Sequence, residues 1–260
     1  MATAIIKGMI AKQFVKPENV YLFDILTDKV NGLAKEVGAN ACLSNTSLIE
    51  EVDLVVLAVK PNLIEQVLLE NKSVILANKP ILVSIAAGMS TEKIYRYLKT
   101  EEEVAIIRVM PNVNVQTGKG ASAVCGHDFA TKEQMEYVLK MFQSIGKAWP
   151  LAEKDFSTFT ALAGSSPAYT YLFIDSIARA GVKHGMPKDL ATEIVAQAVL
   201  GSAEMVLESK ENPWTLIDQV CSPGGTTVAG LLALEEEAFI ATVAKGIDAT
   251  ILREQEMDRE

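Results

Sequence analysis

The chain has 260 residues and a formal net charge of −9, with 24 Lys and Arg against 33 Asp and Glu. This acidic balance argues against a nucleic-acid partner, because phosphate binding needs clustered Lys and Arg. Apolar runs such as VDLVVLAV and PILVSIAAG are too short to span a bilayer, so no membrane partner is expected.

The cysteines Cys42, Cys125 and Cys221 are odd in number and widely separated. They fit neither a disulfide framework nor a zinc site, so no metal is expected and a reducing cytoplasm is the simplest compartment. The length allows one large domain or two ordinary ones.

The first part of the chain alternates helix and strand patterns. MATAIIKGMI has apolar residues at helical spacing and predicts an amphipathic helix. VYLFD predicts a short buried strand, TDKVNGLAKEVG a helix closed by Gly38, and ACL a brief strand. VDLVVLAV is apolar on both faces, which predicts a central parallel strand covered by helices on each side.

The same alternation continues to residue 151. NLIEQVLLEN predicts a helix, PILVSIAAG a buried strand, and TEKIYRYL a helix capped by Ser90. VAIIRVM, GASAVCG and KAWPL predict strands, with a helix over TKEQMEYVLKMFQSIG between the last two. The pattern predicts an α/β domain over residues 1–151, with a doubly wound, mostly parallel sheet.

Residues 152–260 contain long helical patterns and no convincing strand. The three predicted helices are SPAYTYLFIDSIARAGVKHG, PKDLATEIVAQAVLGSAEMVLES and EEEAFIATVAKGIDATILREQEM. Their apolar content is high for three or four isolated helices. An all-α second domain with a subunit interface is therefore predicted.

Two segments have the residue types of a ligand site. LAVKP follows the predicted strand VDLVVLAV, and the carboxyl ends of parallel strands form the ligand-binding edge of an open α/β sheet. The alternative is a plain strand end with a solvated Lys60. CSPGGTTVAGLLALE places glycines before a helix, whose free N–H groups suit a carboxylate or phosphate. Its alternative is an ordinary glycine-rich cap.

Asp24 ends the predicted strand VYLFD. An acidic residue at this place in a dinucleotide-binding fold bonds the adenosine ribose hydroxyls and repels a 2′-phosphate, which favours NADH. An Asp after a strand is also a common helix-capping residue, so both interpretations stay open.

Five segments, in order along the chain, resemble the pyrroline-5-carboxylate reductase family. They are LAVKP, SIAAG, RVMPNVNVQTGKGASAV, GSSPAYTYLFIDSIARAGVKHG and PWTLIDQVCSPGGTTVAGLLALE. The resemblance implies a Rossmann-type domain followed by a helical domain that interlocks into homodimers, often assembled into decamers. It implies that the chain reduces 1-pyrroline-5-carboxylate to L-proline with NADPH or NADH, the last step of proline biosynthesis.

The resemblance also implies site residues. The positions that match the lining of the nicotinamide cofactor are Asn45, Ala58, Val59, Lys60, Pro61 and Ala87. The positions that match the loop holding the substrate carboxylate are Gly224, Gly225, Thr226 and Thr227. Thr227 is the implied catalytic residue, since its hydroxyl contacts the ring nitrogen in the family, and Glu153 matches an acidic residue near the substrate.

The front of the chain departs from the family pattern. Members open with a buried strand and a G-x-G-x-M turn, and here Met1-Ala2 matches only the end of that turn, so roughly ten residues are expected to be absent. Two hypotheses follow: an active imine reductase, or an N-terminally truncated, non-catalytic homologue that keeps the oligomeric fold but binds dinucleotide poorly. A dehydrogenase acting on a β-hydroxy acid is less well supported, because such enzymes lack the SPGGTT signature.

Overall fold

The computed structural model describes residues 1–259, and the side chains as far as residue 257. The chain forms two compact units. Unit 1 is Met1–Ser165 together with the chain from Thr250 onward, and unit 2 is Ser166–Ala249. The predicted domain ranges 1–151 and 152–260 stay a prediction, and residue 260 lies outside the described residues.

Unit 1 contains the predicted alternation of strands and helices. The strands are β1 (Tyr21–Leu22), β2 (Asn40–Ala41), β3 (Leu54–Leu57), β4 (Ile81–Ser84), β5 (Ile106–Met110), β6 (Gly120–Gly126) and β7 (Gly146–Pro150). The helices are α1 (Ala2–Ala11), α2 (Thr27–Val37), α3 (Asn45–Ile49), α4 (Ile64–Glu70), α5 (Lys72–Asn78), α6 (Thr91–Leu98), α7 (Lys132–Gln143) and α8 (Phe156–Phe159). Helices α3, α5 and α8 have no counterpart among the predicted elements.

The strands form two separate sheets. Strands β3, β4, β5, β6 and β7 lie side by side in that order, and every pair is parallel except β5 with β6. Strands β1 and β2 form a parallel pair of their own. The prediction of a mostly parallel sheet is confirmed, with the sheet divided between β1 and β3.

The predicted central position of β3 is wrong. Within residues 1–259, β3 pairs only with β4 and is an edge strand of the larger sheet. An apolar pattern on both faces reports the helices above and below a strand, not the neighbours beside it. The pattern was therefore compatible with an edge position as well.

Helices cover both faces of the larger sheet, as a doubly wound fold requires. Adjacent residues of β4 and β5 point into two different hydrophobic cores. Leu82 and Ile106 pack with the residues of α4 and α6, whereas Val83 and Ile107 pack with those of α1 and α7. This alternation matches the two-residue period of a strand.

Local sequence signals set several helix ends. Ser90 caps α6 by accepting the N–H of Lys93 at 3.3 Å, as predicted. Gly38 ends α2 with a φ of 77°, a left-handed conformation that glycine adopts without a steric penalty.

Unit 2 is entirely helical. It contains α9 (Ser166–Lys183), α10 (Lys188–Ser209), α11 (Pro213–Val220), α12 (Thr226–Glu236) and the first part of α13 (Phe239–Arg259). The predicted start of the last helix, at Glu235, is wrong. Glu235 and Glu236 end α12, and the chain turns at Ala238, whose φ is 56°, before α13 starts.

Unit 2 has very little core of its own. Among its described residues only Pro167, Ala178 and Ala191 are buried. Its largely exposed apolar side chains include Leu172, Leu190, Ile194, Leu200, Leu207, Leu232 and Ile240. Helix α10 is also long and apolar enough, by length and composition, to cross a membrane. A helical unit with so much exposed apolar surface needs a further surface to cover it.

Candidate active site

A groove of about 1650 Å³ separates β1 from β3. It lies along the edge of β3 and reaches the segments that follow β1 and β3. The residues predicted to bind the cofactor that line it are Asp24, Asn45, Ala58, Val59 and Lys60. The structure thus brings together five predicted positions from three separate segments of the chain.

The start of α1 lies on the same groove. Ala2 and Thr3 line it, and no side chain caps this ten-residue helix. The first N–H groups of a helix have no partner within the helix, and they carry the positive end of its dipole. With no acidic residue in the first turn, this end of α1 suits the pyrophosphate of a dinucleotide.

Asp24 lies in the exposed turn between β1 and α2. Its Oδ1 accepts the N–H of Leu26 at 3.0 Å, and Leu26 is the residue before the first turn of α2. The carboxylate therefore orders the turn with one of its two oxygens. A hydrogen bond from a ribose hydroxyl is compatible with this arrangement, whereas the helix-capping interpretation is wrong, because Leu26 is the N-cap of α2 and no side chain caps that helix.

The segments after β3 and β4 lie at the same edge of the sheet, because these strands are adjacent and parallel. Ala58, Val59 and Lys60 are exposed there, and Pro61 begins a single 3₁₀ turn over Pro61–Leu63. Ala87 lies in the loop after β4. Neither Pro61 nor Ala87 lines the groove itself.

The predicted substrate loop lies in unit 2, at the start of α12. Gly224 has a φ of 69°, and the N–H of Gly225 bonds the carbonyl of Ser222 at 3.0 Å. A Cβ on residue 225 would lie 2.4 Å from the Ser222 hydroxyl, which can rotate away, and 3.1 Å from the Ser222 carbonyl oxygen, so the turn is tight there. Thr226 and Thr227 open α12 with exposed side chains and no side-chain cap. Free N–H groups at the start of this helix are therefore available to an anion.

Glu153 lies in unit 1 and both of its oxygens are engaged. Oε1 accepts the N–H of Thr91 at 2.8 Å, and Oε2 accepts the Thr91 hydroxyl at 2.9 Å. Oε1 also lies 3.3 Å from Nη1 of Arg108. Within unit 1 this carboxylate holds the start of α6, and a contact with substrate stays a prediction.

Arg108 is a buried residue that the sequence reasoning missed. Its Nη2 donates to Oε1 of Glu254 at 2.9 Å, and the guanidinium lies 4.6 Å above the centre of the Phe156 ring. A signal was present in the sequence, since Arg108 is the one charged residue in the predicted strand VAIIRVM. A charge inside a buried strand needs a partner.

Cys125 on β6 has an unreactive environment. Burial raises the pKa of its thiol to about 12, and the negative charge of Glu153 acts in the same direction. Within the described residues there is no cluster of three or more His, Cys, Asp or Glu side chains that could hold a metal ion.

Two family models match successive parts of the chain. Residues 153–257 match the model described as pyrroline-5-carboxylate reductase dimerisation. Residues 1–88 match the model described as NADP oxidoreductase coenzyme F420-dependent. The first match covers all of unit 2, including α10 and the loop before α12.

Curated proteins and solved structures match along the whole chain. The pyrroline-5-carboxylate reductase of Escherichia coli is 37% identical over 259 residues, which is 100% of this chain and 95% of that protein. The structure of 1-pyrroline-5-carboxylate reductase from Streptococcus pyogenes has a TM-score of 0.87 at 39% identity, covering 98% of this chain and 95% of that one. The structure of the Plasmodium falciparum pyrroline carboxylate reductase with NADP bound has a TM-score of 0.88 at 32% identity, covering 98% of this chain and 94% of that one.

Proposed function

This chain belongs to the pyrroline-5-carboxylate reductase family, and on that premise we propose which of its residues bind the dinucleotide and the imine. It is an NAD(P)H-dependent oxidoreductase that reduces 1-pyrroline-5-carboxylate to L-proline. It is a homo-oligomer. The residue assignments, the preferred dinucleotide and the number of subunits are the proposals developed below.

The dinucleotide lies along the groove at the carboxyl ends of β1 and β3. The observation that carries this proposal is the meeting of Asp24, Asn45 and the segment Ala58–Lys60 around one groove with the free start of α1. In this arrangement α1 binds the pyrophosphate and Asp24 the adenosine ribose. Ala58, Val59, Lys60, Pro61 and Ala87 position the nicotinamide end, which supplies the hydride when the cofactor is bound.

The substrate carboxylate binds the loop Gly224–Thr227 through the backbone N–H groups of Gly224, Thr226 and Thr227, while the N–H of Gly225 donates to the Ser222 carbonyl and holds the turn. This is supported by the open start of α12 and by the left-handed turn at Gly224. Thr227 holds the ring nitrogen by a hydrogen bond, so that C5 of the imine is presented to the hydride. Reduction at C5 would move the C=N π electrons to nitrogen, and the proton that completes the amine would be the one on a protonated imine or would come from water. The protein supplies orientation and exclusion of water.

The proposed cofactor preference is NADH, because the carboxylate of Asp24 repels a 2′-phosphate. In the test, kcat/KM is measured for NADH and NADPH with 1-pyrroline-5-carboxylate, from the loss of dinucleotide absorbance. In the variant Asp24→Asn the NADPH/NADH ratio is expected to rise by about ten-fold, since one close charge repulsion is worth about 1.4 kcal/mol or more. An unchanged ratio would remove Asp24 from the choice of cofactor.

A second candidate is a homologue that keeps the fold and assembly but binds dinucleotide poorly. The observation that favours it is the groove itself, because β1 and β3 are unpaired towards it in the described chain. Titrating the protein with NADH, by its fluorescence, separates the two candidates. Tight binding of NADH together with imine-dependent oxidation supports the reductase. If the protein shows no binding and no oxidation at millimolar dinucleotide, the second candidate is supported.

The apolar helices of unit 2 form the dimer interface in this proposal. Their exposed apolar side chains and the match to a dimerisation family support it. Assembly of dimers into decamers, and a cytoplasmic location, are further proposals that the family resemblance implies. Sedimentation of the purified protein gives the subunit number.

A further inference from the structure

Arg108 on β5 lies between the carboxylates of Glu153, which is predicted to lie near the substrate, and of Glu254, which has no assigned role in the reaction. Its side chain is only 4% exposed. Nη1 lies 3.3 Å from Oε1 of Glu153, and Nη2 lies 2.9 Å from Oε1 of Glu254 on α13. The side chain of Glu254 is 7% exposed. One cation thus joins two anions that come from distant parts of the sequence.

Glu153 transmits this arrangement to α6. Its two oxygens accept both the N–H and the hydroxyl of Thr91, the first residue of that helix. Glu153 is therefore a cap supplied from outside the helix, in addition to the local cap by Ser90. The start of α6 is bound to the sheet through Arg108.

The geometry is specific to arginine. A guanidinium can bond two separate carboxylates at once, and its flat face can stack on an aromatic ring, as it does here on Phe156. Buried ion pairs contribute little net stability, because removing the charges from water is costly. Such a group is therefore better explained by the precise position that it imposes on its neighbours.

The neighbour in question is the loop between β4 and α6. This loop runs from Ile85 to Ser90 and contains Ala87, the residue assigned to the nicotinamide end of the cofactor. Its first end continues from β4, whose backbone pairs with β3 and β5. Its second end is Thr91, which Glu153 holds.

We propose that Arg108 is a positioning residue for hydride transfer, which acts through Glu153 and Thr91 on the loop 85–90. This proposal rests on the proposed function, since it takes Ala87 as a nicotinamide contact. Arg108 touches neither substrate nor cofactor in this assignment. Its effect is expected on kcat, because small displacements of a reacting group lower the rate of the chemical step strongly.

The principal test is the variant Arg108→Lys, in which an ammonium cannot bond both carboxylates in the same geometry. The expected result is a fall in kcat, per dinucleotide-binding site, of about ten-fold or more, with the KM for dinucleotide changed by less than about three-fold. Arg96→Lys is the matched control. Arg96 forms an exposed ion pair with Glu92 on the same helix α6, and its replacement is expected to leave kcat within about two-fold.

A milder variant tests the same chain of contacts with less risk of a folding defect. Thr91→Val keeps the volume and the backbone N–H but removes the hydroxyl bond to Glu153, and it is expected to lower kcat by about three- to ten-fold. Hydrogen exchange of the amides of residues 86–93 gives a readout independent of activity. Faster exchange there in Arg108→Lys, and not in Arg96→Lys, is expected.

The outcomes separate the two proposals. Unchanged kcat and unchanged exchange in both Arg108→Lys and Thr91→Val would overturn the role of Arg108. If only one of these variants folds and assembles normally, unchanged kcat and unchanged exchange in that variant count against the role of Arg108 in the same way. If the wild-type protein does not oxidise dinucleotide with the imine, the proposed function fails, and the exchange experiment alone decides whether Arg108 holds the loop.

Discussion

Thr227 is an exposed residue in the first turn of α12, directly after the turn that Gly224 and Gly225 form. Replacing Thr227 by Ala removes the proposed hydrogen bond to the ring nitrogen and keeps the backbone N–H groups. We expect kcat/KM for the imine to fall by on the order of ten-fold or more, the value of one good hydrogen bond. Steady-state kinetics at saturating dinucleotide measures this.

Thr227→Ser is the matched control for that prediction, because it keeps a hydroxyl at the same position. Its kcat/KM is expected to stay within a few-fold of the wild-type value. If Ala and Ser behave alike, the hydroxyl has no part in the reaction, and only the backbone of this loop remains in the proposed site.

Cys125 gives a prediction about pH and reactivity. The residue is 6% exposed, and burial together with the nearby charge of Glu153 raises the pKa of its thiol to about 12. At pH 8 only about one thiol in ten thousand would then be ionised, and the thiolate is the reactive form. We expect a thiol reagent to label Cys125 in unfolded protein but not in native protein, as read by mass spectrometry of the peptides. Equal labelling in the two states would contradict the buried environment.

At the scale of single residues, motifs predict the groups that belong to them but not the groups whose role depends on packing. Asp24, Asn45 and the segment Ala58–Lys60, which the sequence predicts as cofactor contacts, line one groove. The role of Arg108 is not predictable from the sequence, because its partners lie 45 and 146 residues away in the chain. No local pattern contains that information.

At the scale of elements, the pairing of β6 with β7 depends on a pair of glycines. Gly120 and Gly146 face each other in register, and a Cβ on residue 146 would overlap the backbone of Gly120. We expect Gly146→Ala to lower the free energy of unfolding by at least about 2 kcal/mol, because the backbone of a paired strand cannot move away. Chemical denaturation measures the change.

Gly32→Ala in α2 is the control for that experiment. No atom outside the helix lies within 4 Å of the added Cβ. A glycine in the interior of a helix is replaced by alanine with a gain of about 0.5–1 kcal/mol. Opposite signs for the two variants are therefore expected, and a harmless Gly146→Ala would show that β7 can shift relative to β6.

The limits of element prediction also have a physical cause. Helix caps such as Ser90 and Gly38 were identified correctly, because a cap is decided by residues within one turn. The edge position of β3 was not predicted, because the order of strands in a sheet depends on partners far away in the chain. The break at Ala238 was missed because a left-handed alanine has no distinctive signal in the sequence.

At the scale of the whole molecule, the exposed apolar side chains of unit 2 predict an oligomer that a single charge can weaken. Leu200 on α10 is 42% exposed. We expect Leu200→Glu to shift the sedimentation of the protein towards smaller species at equal concentration, because burying an unpaired carboxylate in an interface is costly. Leu69→Glu on α4, at a residue 38% exposed in unit 1, is the control and is expected to leave the assembly unchanged. If neither variant dissociated the protein, or if both did, the result would contradict a specific interface at α10.

The sequence by itself determined the family and most of the order of the elements. The elements follow from periodicity and caps, which are set by residues close together in the chain, and the residues of the proposed site follow from the resemblance to the family. Only the tertiary structure decided that the sheet is divided between β1 and β3, and that β5 and β6 are antiparallel. The same holds for Arg108, which joins Glu153 and Glu254 in a buried network. The physical reason is that hydrogen bonds between strands and contacts between buried charges depend on which segments meet in space.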